Sequence, residues 1–272
     1  EGVALSEQTQ TLARITYQRF FARYLRLAGM TGTAREMAPE LASVYGLRTV
    51  TIPVNHLSQR RRLPDQVCFN EASKWQAVAK FVAQLHQRGQ PVLVGTRSVD
   101  ASDRLSQIFQ IYGLPHHVLN ARQDSQEAEI VSAAGQPGAI TVATNLAGRG
   151  TDIVLGPGVA QNGGLCVVLT EYHESPRIDR QLFGRCARQG DVGTCIAIVA
   201  LNDSLFEQHG GVELKMLHEA RSLQSASLNL WVSRCRRKAQ AKAELMHART
   251  RRDTLRRDRD LDKMMAFSGD PI

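Results

Sequence analysis

Nowhere in its 272 residues does the sequence carry a phosphate loop of the form G-x-x-x-x-G-K-[ST], so it does not cradle phosphates by that device. No stretch approaches the roughly 18 consecutive apolar residues of a membrane-spanning helix. The opening residues, Glu1 to Gln8, lack the basic head and apolar middle of a signal peptide. The five cysteines (Cys68, Cys166, Cys186, Cys195, Cys235) are odd in number and never at C-x-x-C spacing. That argues against zinc and disulfide frameworks and fits a reducing cytosol. Aromatics are only 6% of the chain, which leaves little for a base-stacking platform. No serine sits in a G-x-S-x-G elbow, and His173-Glu174 lacks the second histidine of a zinc-protease helix. His116 and His117, just before a strand-like run, read as surface residues rather than metal ligands. A chain opening on Glu1 rather than methionine is expected to continue upstream.

At 43% hydrophobic the chain can bury a full core, and its length suits one or two domains. The net charge of +8 invites an acidic partner. The surplus gathers late, in Arg234 to Lys238 and Arg251 to Arg259, where a solvated helical face is the plain reading and anionic lipid or nucleic acid the functional ones.

Three regions follow one another. In the first, Thr11 to Leu27 spaces its apolar residues as a helix, Pro39 can open a second, and Arg48 to Pro53 reads as a β-segment. The second, roughly Val54 to Leu201, alternates helices with apolar runs, the rhythm of a RecA-like parallel sheet. Its strands are expected at Pro91–Thr96, His117–Asn120, Ala139–Thr144, Leu165–Leu169 and Cys195–Ala200. Helices are expected from Asn70, after Thr96, and near 126–134 and 176–188. The third turns helical and charged, with an apolar stripe over Leu214 to Leu230 and a long basic helix from Trp231 to Met265. The expected fold class is therefore α/β, a RecA-like domain followed by an all-helical segment, with divisions at 1–53, 54–205 and 206–272.

Two segments carry the chemistry. Thr141 to Asn145 ends a strand and runs into Gly148-Arg149-Gly150-Thr151-Asp152, where the glycines let the backbone approach a ligand and Asp152 can accept hydrogen bonds. Taken alone, this loop reads equally well as a plain turn with a capping aspartate. The second segment holds Gln181, Arg185, Arg188 and Gln189. On a helix the two arginines, three apart, would share one face with Gln181, and both segments are expected outside the carboxyl ends of the strands. Arginines supplied from one domain to phosphates on another stabilise phosphoryl transfer. A surface helix with ordinary salt bridges is the alternative. Cys186, beside Arg185, reads as a packing residue.

Together these segments resemble the SecA family, the ATPase motors of bacterial preprotein translocation. The resemblance runs in order through Gln10 to Gln18, Leu27-Ala-Gly-Met-Thr-Gly-Thr33, Gly89 to Thr96, Val118-Leu-Asn-Ala121, Ala143 to Gly156 and His173 to Leu182. It implies that residues 1–53 end a first nucleotide-binding domain, 54–205 form a second, and the rest begins a helical scaffold. It also implies ATP with Mg, whose ligands would lie in the upstream domain. By motif position Asp152 would be the nucleotide contact and Arg149 its partner. Arg185 and Arg188 would be arginine fingers, Gln189 would couple hydrolysis to movement, and Thr31-Gly-Thr33 would relay between domains. Implied partners are a SecY-type channel and preproteins at the cytoplasmic face of the membrane, with an anionic lipid surface and a homodimer left open. Phe183 stands where the family usually has arginine and Ala187 where it usually has glycine, so altered packing is expected there. A nucleic-acid helicase half and a non-hydrolysing adaptor remain the alternative functions.

Overall fold

The structure, a computed structural model, describes residues 15–119, 127–144, 151–211 and 225–267. Among them, seven strands form one sheet: β1 (Gln59–Arg62), β2 (Gln66–Cys68), β3 (Val92–Thr96), β4 (His117–Leu119), β5 (Ile140–Thr144), β6 (Leu165–Leu169) and β7 (Val192–Ala200). The spatial order is β1-β7-β6-β3-β5-β4, with β2 following β1 along the same edge of β7, and every pairing is parallel.

Parallel pairs require crossovers, and helices α3 (Glu71–Gln87), α4 (Val99–Ile111), α5 (Glu127–Ala133) and α6 (Pro176–Phe183) lie in those connections. Because both sheet faces are covered, the central strands are continuously apolar, and β3 and β6 are buried at every residue. The strand period of two splits their side chains between two cores. Val92, Val94, Cys166 and Val168 meet Trp75, Val78 and Val82 of α3 and Phe109 of α4. Leu93, Leu165, Val167 and Leu169 meet Leu182 and Phe183 of α6, with Val232, Cys235 and Ala239 of the last helix. Gly95 of β3 admits this packing, since a Cβ there would come 2.3 Å from Leu182 Cδ2. The RecA-like α/β reading therefore holds.

The five expected strands are present, and α3 starts as expected. Asn70 accepts the Ser73 amide at 2.8 Å in a reciprocal capping box, and Gly89 turns left-handed after the helix. Three local expectations fail. Arg48 to Pro53 is not a strand. The sheet edge is instead built from the polar β1, which pairs on one side only among the described residues, and the three-residue β2, too short for a periodic signal. Of the helix expected over Thr11–Leu27, only α1 (Tyr17–Ala22) forms among the described residues, and its residues have no buried face to extend along. Finally, α6 stops at Phe183 instead of running to Arg188.

A short helix, α7 (Ser204–His209), follows β7, and α8 (Ser225–Phe267) closes the described chain. The expected stripe over Leu214 to Leu230 falls largely outside the described residues. The chain divides into two compact units, Ile52–Glu244 and a second that joins Glu1–Thr51 to Leu245–Ile272. In the latter, α2 (Ala38–Tyr45) has Pro39 in its first turn, as expected. Its Glu40 takes a two-point ion pair from Arg251 at 2.7 and 2.8 Å.

Candidate functional site

The arginine segment is made by what ends α6. Gly184 caps the helix, and then Ala187 and Gln189 take left-handed backbone (φ 53° and 52°). These bends turn the chain back on itself, and Arg188 Nε donates to the Gly184 carbonyl at 2.8 Å. Arg185 and Arg188 therefore stand on a folded loop, not on one helical face. Glycine would suit that conformation, and alanine occupies it at a cost of about 1–2 kcal/mol.

The segment also lies at the other end of the sheet from the expected one. A crossover helix runs antiparallel to its strands, so α6 leaves the carboxyl end of β6 and delivers Arg185 to Gln189 at the amino end of β7. The neighbouring edge strand holds it there. Arg60 donates to the Cys186 carbonyl through Nη2 (2.9 Å) and Nε (3.3 Å), and Gln59 donates to the Gly190 carbonyl at 2.6 Å. In the sequence both belong to Asn55–Arg60, a run that departs from the Asn-Arg-Pro-x-x-Arg usual in the family it resembles and whose contacts are therefore open on sequence alone.

Thr151 and Asp152 meet this loop. Arg188 Nη1 and Gln189 Nε2 each donate to Asp152, at 3.0 Å, one to each carboxylate oxygen. Arg185 Nη1 donates to the Thr151 carbonyl at 3.4 Å. Asp152, Arg185, Arg188 and Gln189 line an open cleft of about 300 Å³, floored by Ile153 and Leu165. Gln181 sits on α6 outside that lining. Gly148, Arg149 and Gly150 lie outside the described residues. Thr33 is buried, and Thr31 Oγ1 accepts its amide at 3.3 Å, which locks that small turn.

Phe183 joins the apolar core, with the Arg62 guanidinium 4.1 Å above its ring. Cys186 is buried, and its thiol is pushed up by its hydrogen bond with Cys195 and by burial, which suits packing rather than chemistry. That same bond, helped by Arg62 and Arg60, lowers the Cys195 thiol to about 7 against the opposing effect of burial. His116 is held by Ser106 and the Leu114 carbonyl, at 2.7 and 2.8 Å, and has a structural role.

The cleft's donor set suits phosphate oxygens. Arg188 uses Nε and Nη1 on the protein, which leaves Nη2 as the edge of the guanidinium for an anion. A divalent metal fits less well, because Asp152 already accepts from two side chains and no cluster of metal ligands occurs among the described residues. No helix among them is long and apolar enough to cross a membrane.

Comparison with known proteins agrees with this architecture. Residues 57–159 and 157–225 match the SecA P-loop domain, and residues 1–42 match the SecA DEAD-like domain. Protein translocase subunit SecA 2 of Nitrosospira multiformis is 48% identical over 99% of this chain and 40% of its own length. Protein translocase subunit SecA of Thermosipho melanesiensis is 43% identical over 96% of this chain and 31% of its own length. The chain thus spans about two-fifths or less of these relatives. Among solved structures, the E. coli DEAD-box protein SrmB bound to RraA matches 56% of this chain and 83% of its own at 19% identity. Its TM-score of 0.44 is too low to carry an assignment.

Proposed function

The chain belongs to the SecA family, and on that premise we propose that it is one half of an ATP-driven motor for protein translocation. Arg185 and Arg188 contact the phosphates of a nucleotide whose phosphate loop lies on a first nucleotide-binding domain, of which this sequence holds only the end. Asp152 holds Arg188 and Gln189 in place, Gly148, Arg149, Gly150 and Thr151 are further nucleotide contacts, and Gln181 supports the arginines from α6. Magnesium would arrive with the nucleotide on ligands of the other domain and would neutralise phosphate charge there. Residues 1–53 complete that other domain, 54–205 form this one, and the remainder is scaffold. The partners are preproteins and a SecY-type channel at the cytoplasmic face of the membrane.

The observation that supports this most is the convergence of two arginines, a carboxylate and a carboxamide on one open cleft. The test uses the complete translocase polypeptide. Arg188→Ala should lower ATP turnover by about three to five orders of magnitude, the contribution of a trans arginine, while the thermal midpoint changes little. Turnover at the unaltered rate would remove Arg188 from the site. Stimulation of ATP hydrolysis by RNA, and not by preprotein, would favour the helicase reading instead.

A further inference from the structure

The long helix α8 meets the loop between β6 and α6 through three residues spaced four apart, Arg236, Gln240 and Glu244, which therefore share one face. Each takes a different part of that loop. The Arg236 guanidinium lies 4.8 Å over the Tyr172 ring. Gln240 Nε2 donates both to the His173 carbonyl (2.9 Å) and to Asp179 Oδ2 (2.8 Å). Glu244 accepts from Ser175 Oγ at 2.6 Å, and Ser175 in turn caps α6 by accepting from the Arg177 amide.

The middle contact is the most enclosed. Gln240, Asp179 and His173 are each at most 5% exposed. Asp179 Oδ1 also accepts from the His173 amide (3.0 Å) and from its Nδ1 (2.8 Å), so the carboxylate is held from several directions. A buried network of this kind fixes one geometry, because a shifted partner would leave a polar group unsatisfied.

Asp179 sits in the first turn of α6, and the last turn of that helix leads to Gly184, whose carbonyl positions Arg188. Eight helical residues span about 12 Å, so α6 is a short rod clamped by α8 at one end and carrying the arginine loop at the other. We infer that Gln240, through Asp179 and α6, is a positioning residue that ties the arginine segment to the long helix. A change at either end is then passed to the other as a movement of the rod. This role rests on the functional reading above, but the clamp itself can be tested without it.

Hydrogen exchange on the full chain separates the clamp from general loosening. Gln240→Leu should speed amide exchange across Gly184–Asp191 by about tenfold while β3 and β6 are unaffected. Val232→Ala, which thins the apolar packing of the same helix, should leave exchange of that segment unchanged relative to β3. In the complete polypeptide Gln240→Leu should lower kcat for ATP about ten- to a hundredfold with KM held, the signature of misplaced catalytic groups. Unchanged exchange in Gly184–Asp191, or equal changes in the two variants, would overturn the clamp. Absence of ATP turnover in the unaltered polypeptide would count against the functional reading, and the exchange result would still decide the clamp.

Discussion

The two ends of the sheet are built on opposite principles. At the carboxyl ends, where α/β proteins usually bind ligands, the charged groups satisfy one another. Lys74 and Asp203 form an ion pair only 3% exposed on each side chain. Arg97, after β3, reaches Glu171 (3.2 Å), Glu174 (2.6 Å) and Ser204 (2.5 Å). At the amino end of β7 Arg188 is paired too, with Asp152, but that pair is more than a third exposed and stands with Arg185 in the lining of an open cleft. Among the described residues, then, shielded ion pairs stand at the carboxyl ends and an open cationic cleft at the amino end, an arrangement that suits the proposed contribution of this domain to a site in trans.

Four experiments bear on that contrast. The largest effect is expected from Lys74→Met, which strands the Asp203 carboxylate in the core and should cost about 3–5 kcal/mol in a denaturant titration. A loss under about 1 kcal/mol would mean that the pair is not closed to water as described.

Next is the pH dependence. Burial, only partly offset by Lys74, raises the Asp203 carboxyl from 3.8 to about 6. The folded state therefore binds this proton more tightly than the unfolded state. The group's contribution to stability is fully present below 3.8 and is lost as pH rises through about 6. Subtracting the pH profile of Asp203→Asn from that of the unaltered chain should reveal this falling component. A flat difference would show that the carboxyl titrates alike in the folded and unfolded chain.

Arg97→Met should cost less, about 1–3 kcal/mol, because its partners are half-exposed and Glu171 keeps Ser204. Turnover of the complete polypeptide should stay within about twofold, since no reacting group is near. A large loss of kcat would break the division between the ends of the sheet.

The smallest change is a gain. Ala187→Gly relieves the left-handed backbone and should raise stability by about 1 kcal/mol. A loss would mean that the methyl group's packing outweighs the strain.

Much of this was readable in advance, for reasons particular residues make plain. The runs Val92–Gly95 and Leu165–Leu169 are apolar throughout because both faces of a parallel strand are covered, and their length of a few residues points to strands rather than helices. The Asn70 cap and Gly89 stop are short-range signals that bond within a turn. Edge strand β1 gave no such signal because a strand paired on one side can be mostly charged, and β2 because three residues are too few to show a period. The arginine loop was misread for a related reason. Arg185 and Arg188 are themselves compatible with a helix, but the Gly184 cap, close packing of Cys186 against Gly193 and the Arg60 bond to the Cys186 carbonyl favour the loop.

The order of strands and helices, the apolar cores they build and the residue types of the site follow from the sequence, since periodicity and capping act over a few residues. The tertiary structure alone decided which end of the sheet carries the arginines, that Asp152 grips Arg188 and Gln189 together, and that Gln240 reaches Asp179 from 61 residues away. Such contacts join segments far apart in the chain, and their geometry is set by how helices pack on the sheet.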